Sequence, residues 1–325
     1  MMASYLVRLF CLCLAVFFLI HSVAGLAVAL SVPRAIRAAR RMRPRGAERF
    51  LLMLRLLPAA LALLVVAGVC VPSYLWLEPE ISAEEVGAGC LTAAILAAAL
   101  CVISTARGVR AAVRSARHAR SCERLGRRST LAGSSEPVWI LDSPAPLFAL
   151  VGVFAPSVAI SSPVMHALSA GPLAAALRHE EAHRVSRDNL KRLLLLLAPG
   201  LLPGWHGFDV LERNWARFTE WAADDEAVAG DAHLSLFLAS ALVQVARMGG
   251  VPAPSPLSAS FLGDSRALSA RVDRLLSPAP FAPIRTTNST AKAASVALTA
   301  AGCAATILHP ATLVWAHRML ERLIH

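Results

Sequence analysis

Two histidines and a glutamate near the middle of the chain have a spacing that favours metal-assisted hydrolysis. The segment reads His179-Glu180-Glu181-Ala182-His183. On an α-helix, residues four apart lie on one face, so the imidazoles of His179 and His183 can bind one ion. Glu180 can then reach a water beside that ion and act as a general base. We therefore predict that His179 and His183 bind Zn²⁺ and that Glu180 is catalytic.

This geometry requires a helix, and the preceding residues favour one. Gly171-Pro172 is a good helix start, because proline at the first helical position loses no hydrogen bond. Residues 173–177 are Leu and Ala, which are strong helix formers. The alternative interpretation is a solvated helix face on which the two histidines bind nothing.

A third ligand is expected from a second predicted helix, which spans roughly residues 210–228. Glu220 and Asp224 share a face of that helix. We interpret Glu220 as the third metal ligand and Asp224 as a carboxylate that orients a ligand imidazole. The alternative for Glu220 is an ion pair with Arg213 or Arg217.

The composition is typical of a membrane protein. Apolar residues make up 56% of the chain, charged residues only 16%, and the mean hydropathy is +0.58. Each of four apolar runs is long enough to cross about 30 Å of hydrocarbon. These four predicted transmembrane helices cover residues 9–30, 51–77, 86–106 and 293–316.

Two of these predicted spans have features that bear on their assignment as transmembrane helices. The first could be a cleavable signal peptide, but its length, the single Arg8 before it and the arginine cluster after it favour a retained helix. The second contains Arg55 and Pro58 near its start, and we expect this arginine to reach the membrane interface.

The arginines predict the orientation. Seven lie between residues 34 and 49 and eight between residues 107 and 128, whereas the loop between the second and third spans holds four glutamates. By the positive-inside rule the two basic segments are cytoplasmic. The amino terminus is then outside. The basic linker 107–128 can contact lipid headgroups, but it lacks interleaved aromatic residues, so no direct nucleic-acid binding is expected.

Residues 129–290 form the predicted cytoplasmic domain. Three short strands (138–141, 148–154 and 157–160) precede a series of helices, including one around residues 234–248, so we predict an α+β domain that is mostly α. If 148–154 is an edge strand near the metal, an extended substrate could pair with it. An ordinary half-buried strand is the alternative.

The chain resembles the BlaR/MecR-type membrane zinc metallopeptidases, which are gluzincins and are more distantly related to HtpX-type proteases. The resemblance rests on two segments, residues 179–190 and 217–226, together with Trp205 and the strand and proline pattern of 146–162. The order of three spans, a zinc domain and a fourth span also matches. The chain ends soon after residue 316, so we expect no extracellular sensor domain of the kind that better known members carry.

The resemblance implies that His179, His183 and Glu220 bind zinc, that Glu180 activates water and that Asp224 supports the ligands. Arg271 resembles a downstream arginine of the HtpX-type relatives, which makes it a candidate for stabilising the oxyanion. His206 and His233 are competitors for that role. A surface ion pair of Arg271 with Asp273 or Glu226 is the alternative.

The function expected from these observations is that of a zinc endopeptidase in the bacterial inner membrane, a multi-pass protein that cleaves a protein substrate at the cytoplasmic face. The substrate would be a winged-helix transcriptional repressor or the chain itself, in regulatory signalling. Two alternatives stay open: a protease for membrane protein quality control, and a catalytically silent scaffold or receptor.

Overall fold

The computed structural model describes residues 2–77, 87–131, 134–200, 207–249, 257, 259–260 and 265–277. Over these residues the chain is mostly helical, with three long apolar helices and one small sheet, which confirms the mostly α, α+β class. The fourth predicted span, 293–316, lies outside the described residues.

The three long apolar segments that could cross a membrane are Tyr5–Ala39, Pro44–Trp76 and Ala88–Leu125. They correspond to the first three predicted spans, but all three are longer than the apolar runs because flanking arginines are helical too. Their helices are α1 (Met2–Ala39), α2 (Pro44–Val65), α3 (Val71–Leu77) and α4 (Ala88–Leu125), with a π-helical turn at Val66–Cys70 joining α2 to α3.

Arg55 does not extend to an interface as expected. Its side chain is buried, its Nε donates to Glu212 at 2.7 Å, and its guanidinium lies 4.3 Å from the ring centroid of Phe208. The partners come from the helix that follows residue 206, so this arginine joins an apolar helix to the rest of the protein. Pro58 lies inside α2 without ending it.

The sheet has five short strands, and its central strands are buried on both faces. The strands are β1 (Gly126–Ser129), β2 (Val138–Leu141), β3 (Phe148–Val151), β4 (Ser157–Ser161) and β5 (Ala259–Ser260), in the order β1-β2-β4-β3-β5. β2 and β4 are parallel, and the other pairs are antiparallel.

The edge-strand interpretation of residues 148–154 is wrong where the structure describes pairing. β3 ends at Val151, and its Ala149 and Leu150 pair with Ser260 and Ala259 of β5 on the side away from β4. Because β5 takes up these backbone groups, a substrate cannot add to them as a new strand.

Six helices complete the described part of the domain. They are α5 (Ser162–Ala167), α6 (Ala170–Ser186), α7 (Asp188–Leu197), α8 (Gly207–Val228), α9 (Ala232–Arg247) and α10 (Ser265–Leu276). The main core lies between the sheet, α6 and α9. A second core joins α8 to α1 and α2 through Trp215, Phe218, Val32 and Leu51.

Most of the apolar residues that follow α6 are buried or half-buried where the structure describes them, whereas Leu194 is exposed. Leu193 of α7 is buried in a cluster with Ala111 of α4. A close approach is possible there because Gly108 has no side chain: a Cβ at that position would lie 2.4 Å from Leu197 Cδ2. α7 therefore packs along α4 instead of facing solvent.

Candidate metal centre

Helix α6 brings His179 and His183 together as the spacing predicted. Both side chains are completely buried, and their Nε2 atoms are 3.1 Å apart. The helix ends at Arg187, which has a left-handed conformation with φ of 56°. Because the chain turns sharply there, the first residue of α7, Asp188, comes back beside His183.

Glu220 on α8 completes a three-residue cluster. Its Oε2 lies 3.6 Å from His179 Nε2 and 3.7 Å from His183 Nε2. A tetrahedral zinc ion with bonds of about 2.0–2.1 Å sets its ligand atoms roughly 3.3–3.4 Å apart. The observed separations lie within a few tenths of an ångström of that value, so these three side chains fit one metal ion.

The other ring nitrogen of each histidine faces a carboxylate. His179 Nδ1 is 2.9 Å from Asp224 Oδ1, and His183 Nδ1 is 2.7 Å from Asp188 Oδ2. We infer that each Nδ1 carries a hydrogen, because a carboxylate needs a donor. In neutral rings both Nε2 atoms are then lone-pair acceptors, and two lone pairs 3.1 Å apart require a cation between or beside them. A proton or a metal ion can supply this charge, and the guanidinium of Arg271, whose Nη2 lies 3.4 Å from His179 Nε2, adds a positive charge beside the pair.

The pKa directions agree with a site that attracts a cation. Burial alone would lower the pKa of His183, but the carboxylates of Glu220 and Asp188 outweigh it and raise that pKa to about 10. Burial would raise the pKa of Glu220, yet the two histidines and Arg271 hold it well below its usual range. Glu220 thus favours the positively charged form of His183, and His183 favours the negatively charged form of Glu220.

Glu180 is buried beside the cluster with free acceptor capacity. Its side chain is fully buried, and neither carboxylate oxygen has a hydrogen-bond partner within the described residues. Burial raises its pKa to about 7, although the neighbouring histidines oppose the shift. A carboxyl group that titrates near neutral pH and has unused acceptor sites can take up and release a proton at little cost. Its neighbour Glu181 instead points outward and pairs with Arg184 at 2.7 Å.

Arg271 is part of the centre and not of the surface. It comes from α10, its side chain is 1% exposed, and it donates to both oxygens of Asp224 at 2.9 and 2.6 Å. Its Nη1 lies 3.2 Å from Glu220 Oε2. The alternative interpretation, a surface ion pair with Asp273 or Glu226, does not match the described contacts of Arg271. In this position Arg271 fixes Asp224, which in turn faces His179.

Among the remaining residues considered for the site, His206 lies outside the described residues and His233 is exposed at the start of α9. The described ion pairs of Glu220 run to Arg192 at 3.4 Å and to Arg271, not to Arg213 or Arg217.

Asp188 and Lys191 were not assigned a role from the sequence. Asp188 is fully buried and contacts both His183 and Lys191. The available signal was an acidic residue five positions after His183, but on one continuous helix it would point away from the ligand face. Only the helix break at Arg187 brings it back, and that break follows from an unusual backbone conformation that the residue type does not reveal.

Comparison of the chain with protein-family models, with curated proteins and with solved structures finds no match. The family resemblance therefore stays a prediction, and the site is supported by its own geometry.

Proposed function

We propose that the protein is a membrane-anchored zinc endopeptidase of the BlaR/MecR type. The observation that carries the proposal is the buried cluster of His179, His183 and Glu220, with the unpartnered carboxylate of Glu180 beside it. The two-histidine, one-carboxylate donor set is one of those used by catalytic zinc sites that keep an open position for water.

Each residue has a defined part in this proposal. A zinc ion, when bound, supplies a water of lowered pKa and polarises the substrate carbonyl. Glu180 takes a proton from the water and returns it to the leaving amine. Asp224 and Asp188 hold the two imidazoles in the tautomer whose Nε2 lone pair can bind a metal ion. Arg271 keeps Asp224 in place, and its positive charge lies close enough to the cluster to steady an oxyanion.

The proposal places this centre at the cytoplasmic face of the bacterial inner membrane. Three described apolar helices support a multi-pass protein. The charge pattern of the loops supports an outside amino terminus, and the apolar run 293–316 supports a fourth span that follows the zinc domain. The ion pair of the buried Arg55 with the partly exposed Glu212 supports a domain held directly on the membrane helices.

We further propose that the substrate is a protein, with a winged-helix repressor or the chain itself as the expected targets. This step depends on the family resemblance. A quality-control protease and a silent scaffold are the other outcomes that the following experiment separates.

The test compares three forms of the full chain: wild type, Glu180→Gln and Glu181→Gln. Metal content of the purified proteins is measured together with the new protein termini that appear in cells. We expect one zinc per chain in all three, and a loss of cleavage of about 10²–10⁴-fold in Glu180→Gln alone. Glu181→Gln is the matched control, because it changes a neighbouring carboxylate that faces away from the cluster.

Wild-type protein without stoichiometric zinc overturns the proposal. Equal processing in wild type and Glu180→Gln supports the scaffold instead. Cleavage of one regulator indicates signalling, whereas cleavage of many damaged membrane proteins indicates quality control.

A further inference from the structure

A chain of charged groups joins the start of apolar helix α2 to the metal centre. Glu48 of α2 is completely buried, and its Oε1 accepts from Lys191 Nζ at 2.8 Å. The same Nζ donates to Asp188 Oδ1 at 2.8 Å, and Asp188 Oδ2 lies 2.7 Å from His183 Nδ1. Three contacts therefore connect residue 48 with the ring of a candidate ligand.

The donors of Lys191 are fully used in this arrangement. An ammonium group has three N–H donors, and Lys191 Nζ has three acceptors: Glu48, Asp188 and Ser186 Oγ at 2.6 Å. With all three directions fixed, the ammonium has little freedom to move. The position of Glu48 therefore determines how strongly the Lys191 ammonium attracts the carboxylate of Asp188.

Burial of the Glu48 carboxylate costs free energy, and its described contacts do not offset that cost in full. Removing a charged group from water is expensive unless it is paired. Within the described residues the second oxygen of Glu48 accepts no hydrogen bond and lies 3.8 Å from Arg45 Nη1. Arg45 itself donates to Ser186 and Glu226, at the ends of α6 and α8. These contacts fix the first turns of α2 on both helices that carry the candidate ligands.

We propose that Glu48 and Lys191 are positioning residues for the metal ligand His183, so that helix α2 controls the metal centre. This inference rests on the proposed metal site. Without the Glu48 carboxylate, Asp188 is the one carboxylate that Lys191 still contacts among the described residues, and Lys191 pulls it away from His183 Nδ1. The ring then loses its orientation and part of its basicity, which weakens its bond to a metal.

The experiment measures zinc affinity of the purified full chain by competition with a chromophoric chelator. Loss of a residue that orients a metal ligand weakens binding by about 10–100-fold, and we expect this loss in Glu48→Gln. Glu212→Gln is the matched control. It also breaks an ion pair of 2.7 Å between α2 and the domain, but Glu212 has no contact with a candidate ligand or with Asp188 or Lys191 among the described residues. Its zinc affinity should stay within about twofold of wild type.

Two further measurements separate positioning from general loss of structure. Lys191→Met combined with Glu48→Gln should weaken binding no more than the worse single variant, because both act through one chain of contacts. Cobalt substituted for zinc should give an altered visible spectrum in Glu48→Gln and an unaltered one in Glu212→Gln. If Glu48→Gln does not fold, Glu48→Asp replaces it, since it keeps the charge and shortens the side chain by one methylene.

The outcomes distinguish the two proposals. Wild-type protein that binds no zinc refutes the metal site itself. If the wild type binds zinc and the Glu48 and Glu212 variants have the same affinity and the same cobalt spectrum, the site stands and the control by α2 is wrong.

Discussion

Zinc affinity should depend steeply on pH, because the metal must displace a proton from His183. The pKa of this histidine is raised to about 10 in the metal-free protein. A raised pKa stabilises the metal-free fold fully below the unfolded value of about 6.5, and this stabilisation is lost as pH rises through 10. Throughout pH 7–9 the site therefore holds a proton that zinc has to release.

The magnitude follows from the distance between the pKa and the working pH. From pH 7 to pH 10 there are three units, so the apparent association constant should rise about tenfold per unit and about 10³-fold in all, or about 4 kcal/mol. Below pH 7 the slope should become steeper. There Glu180, with its pKa of about 7, also carries a proton that a nearby cation disfavours.

Competition titrations at pH 7.0, 8.0 and 9.0, corrected for protonation of the chelator, measure this slope. Calorimetry in two buffers of different ionisation enthalpy counts the released proton directly. In Asp188→Asn one of the two carboxylates that raise the pKa of His183 is gone. The slope should therefore flatten between pH 8 and 9. A zinc affinity that is constant from pH 7 to 9 in the wild type would show that zinc does not displace a proton from His183 in this range.

Three further predictions concern stability, measured as the midpoint of thermal unfolding of the detergent-solubilised chain. Gly108→Ala should lower the midpoint, because its Cβ would lie 2.4 Å from a leucine of α7, whereas Gly89→Ala in the same helix meets nothing within 4 Å and should leave it unchanged or raise it. Asp231→Ala removes the side chain that accepts from two N–H groups at the start of α9 and should cost about 1 kcal/mol. Arg271→Met removes the guanidinium from the buried carboxylate of Asp224, which keeps only its contact with His179 Nδ1 among the described residues, and should cost about 3–5 kcal/mol; a change below 1 kcal/mol would show that the pair with Arg271 is not buried.

The local parts of the centre could be predicted because they depend on short-range periodicity. His179 and His183 are four residues apart, which places them on one face of a helix, and the helix-forming residues before them favour that helix. The same argument placed Glu220 and Asp224 on one side of α8. Strand β2 was predicted with its observed bounds, because its four apolar residues lie between polar and proline-containing segments.

The parts that were missed depend on long-range pairing. β1 contains two arginines and was interpreted as part of a basic linker, yet it pairs along its full length with β2. β5 has two residues, too few for any pattern to indicate a strand, and it pairs with β3, more than 100 positions earlier in the chain. Lys191 and Glu48 are 143 positions apart, and each alone is an ordinary charged residue of a helix.

The two helices that carry the candidate ligands, α6 and α8, pack mainly on different parts of the protein. α6, which carries both histidines, packs through Ala176 and Leu177 on the sheet and α9. α8, which carries Glu220, packs through Trp215 and Phe218 on α1 and α2. The separation of Glu220 from the imidazoles therefore depends on the packing of α8 against α1 and α2 and also on Ala227 and Val228, which join α8 to the core that supports α6. A metal bond tolerates errors of only about 0.2 Å, so a small displacement of α1 and α2 is enough to weaken the site.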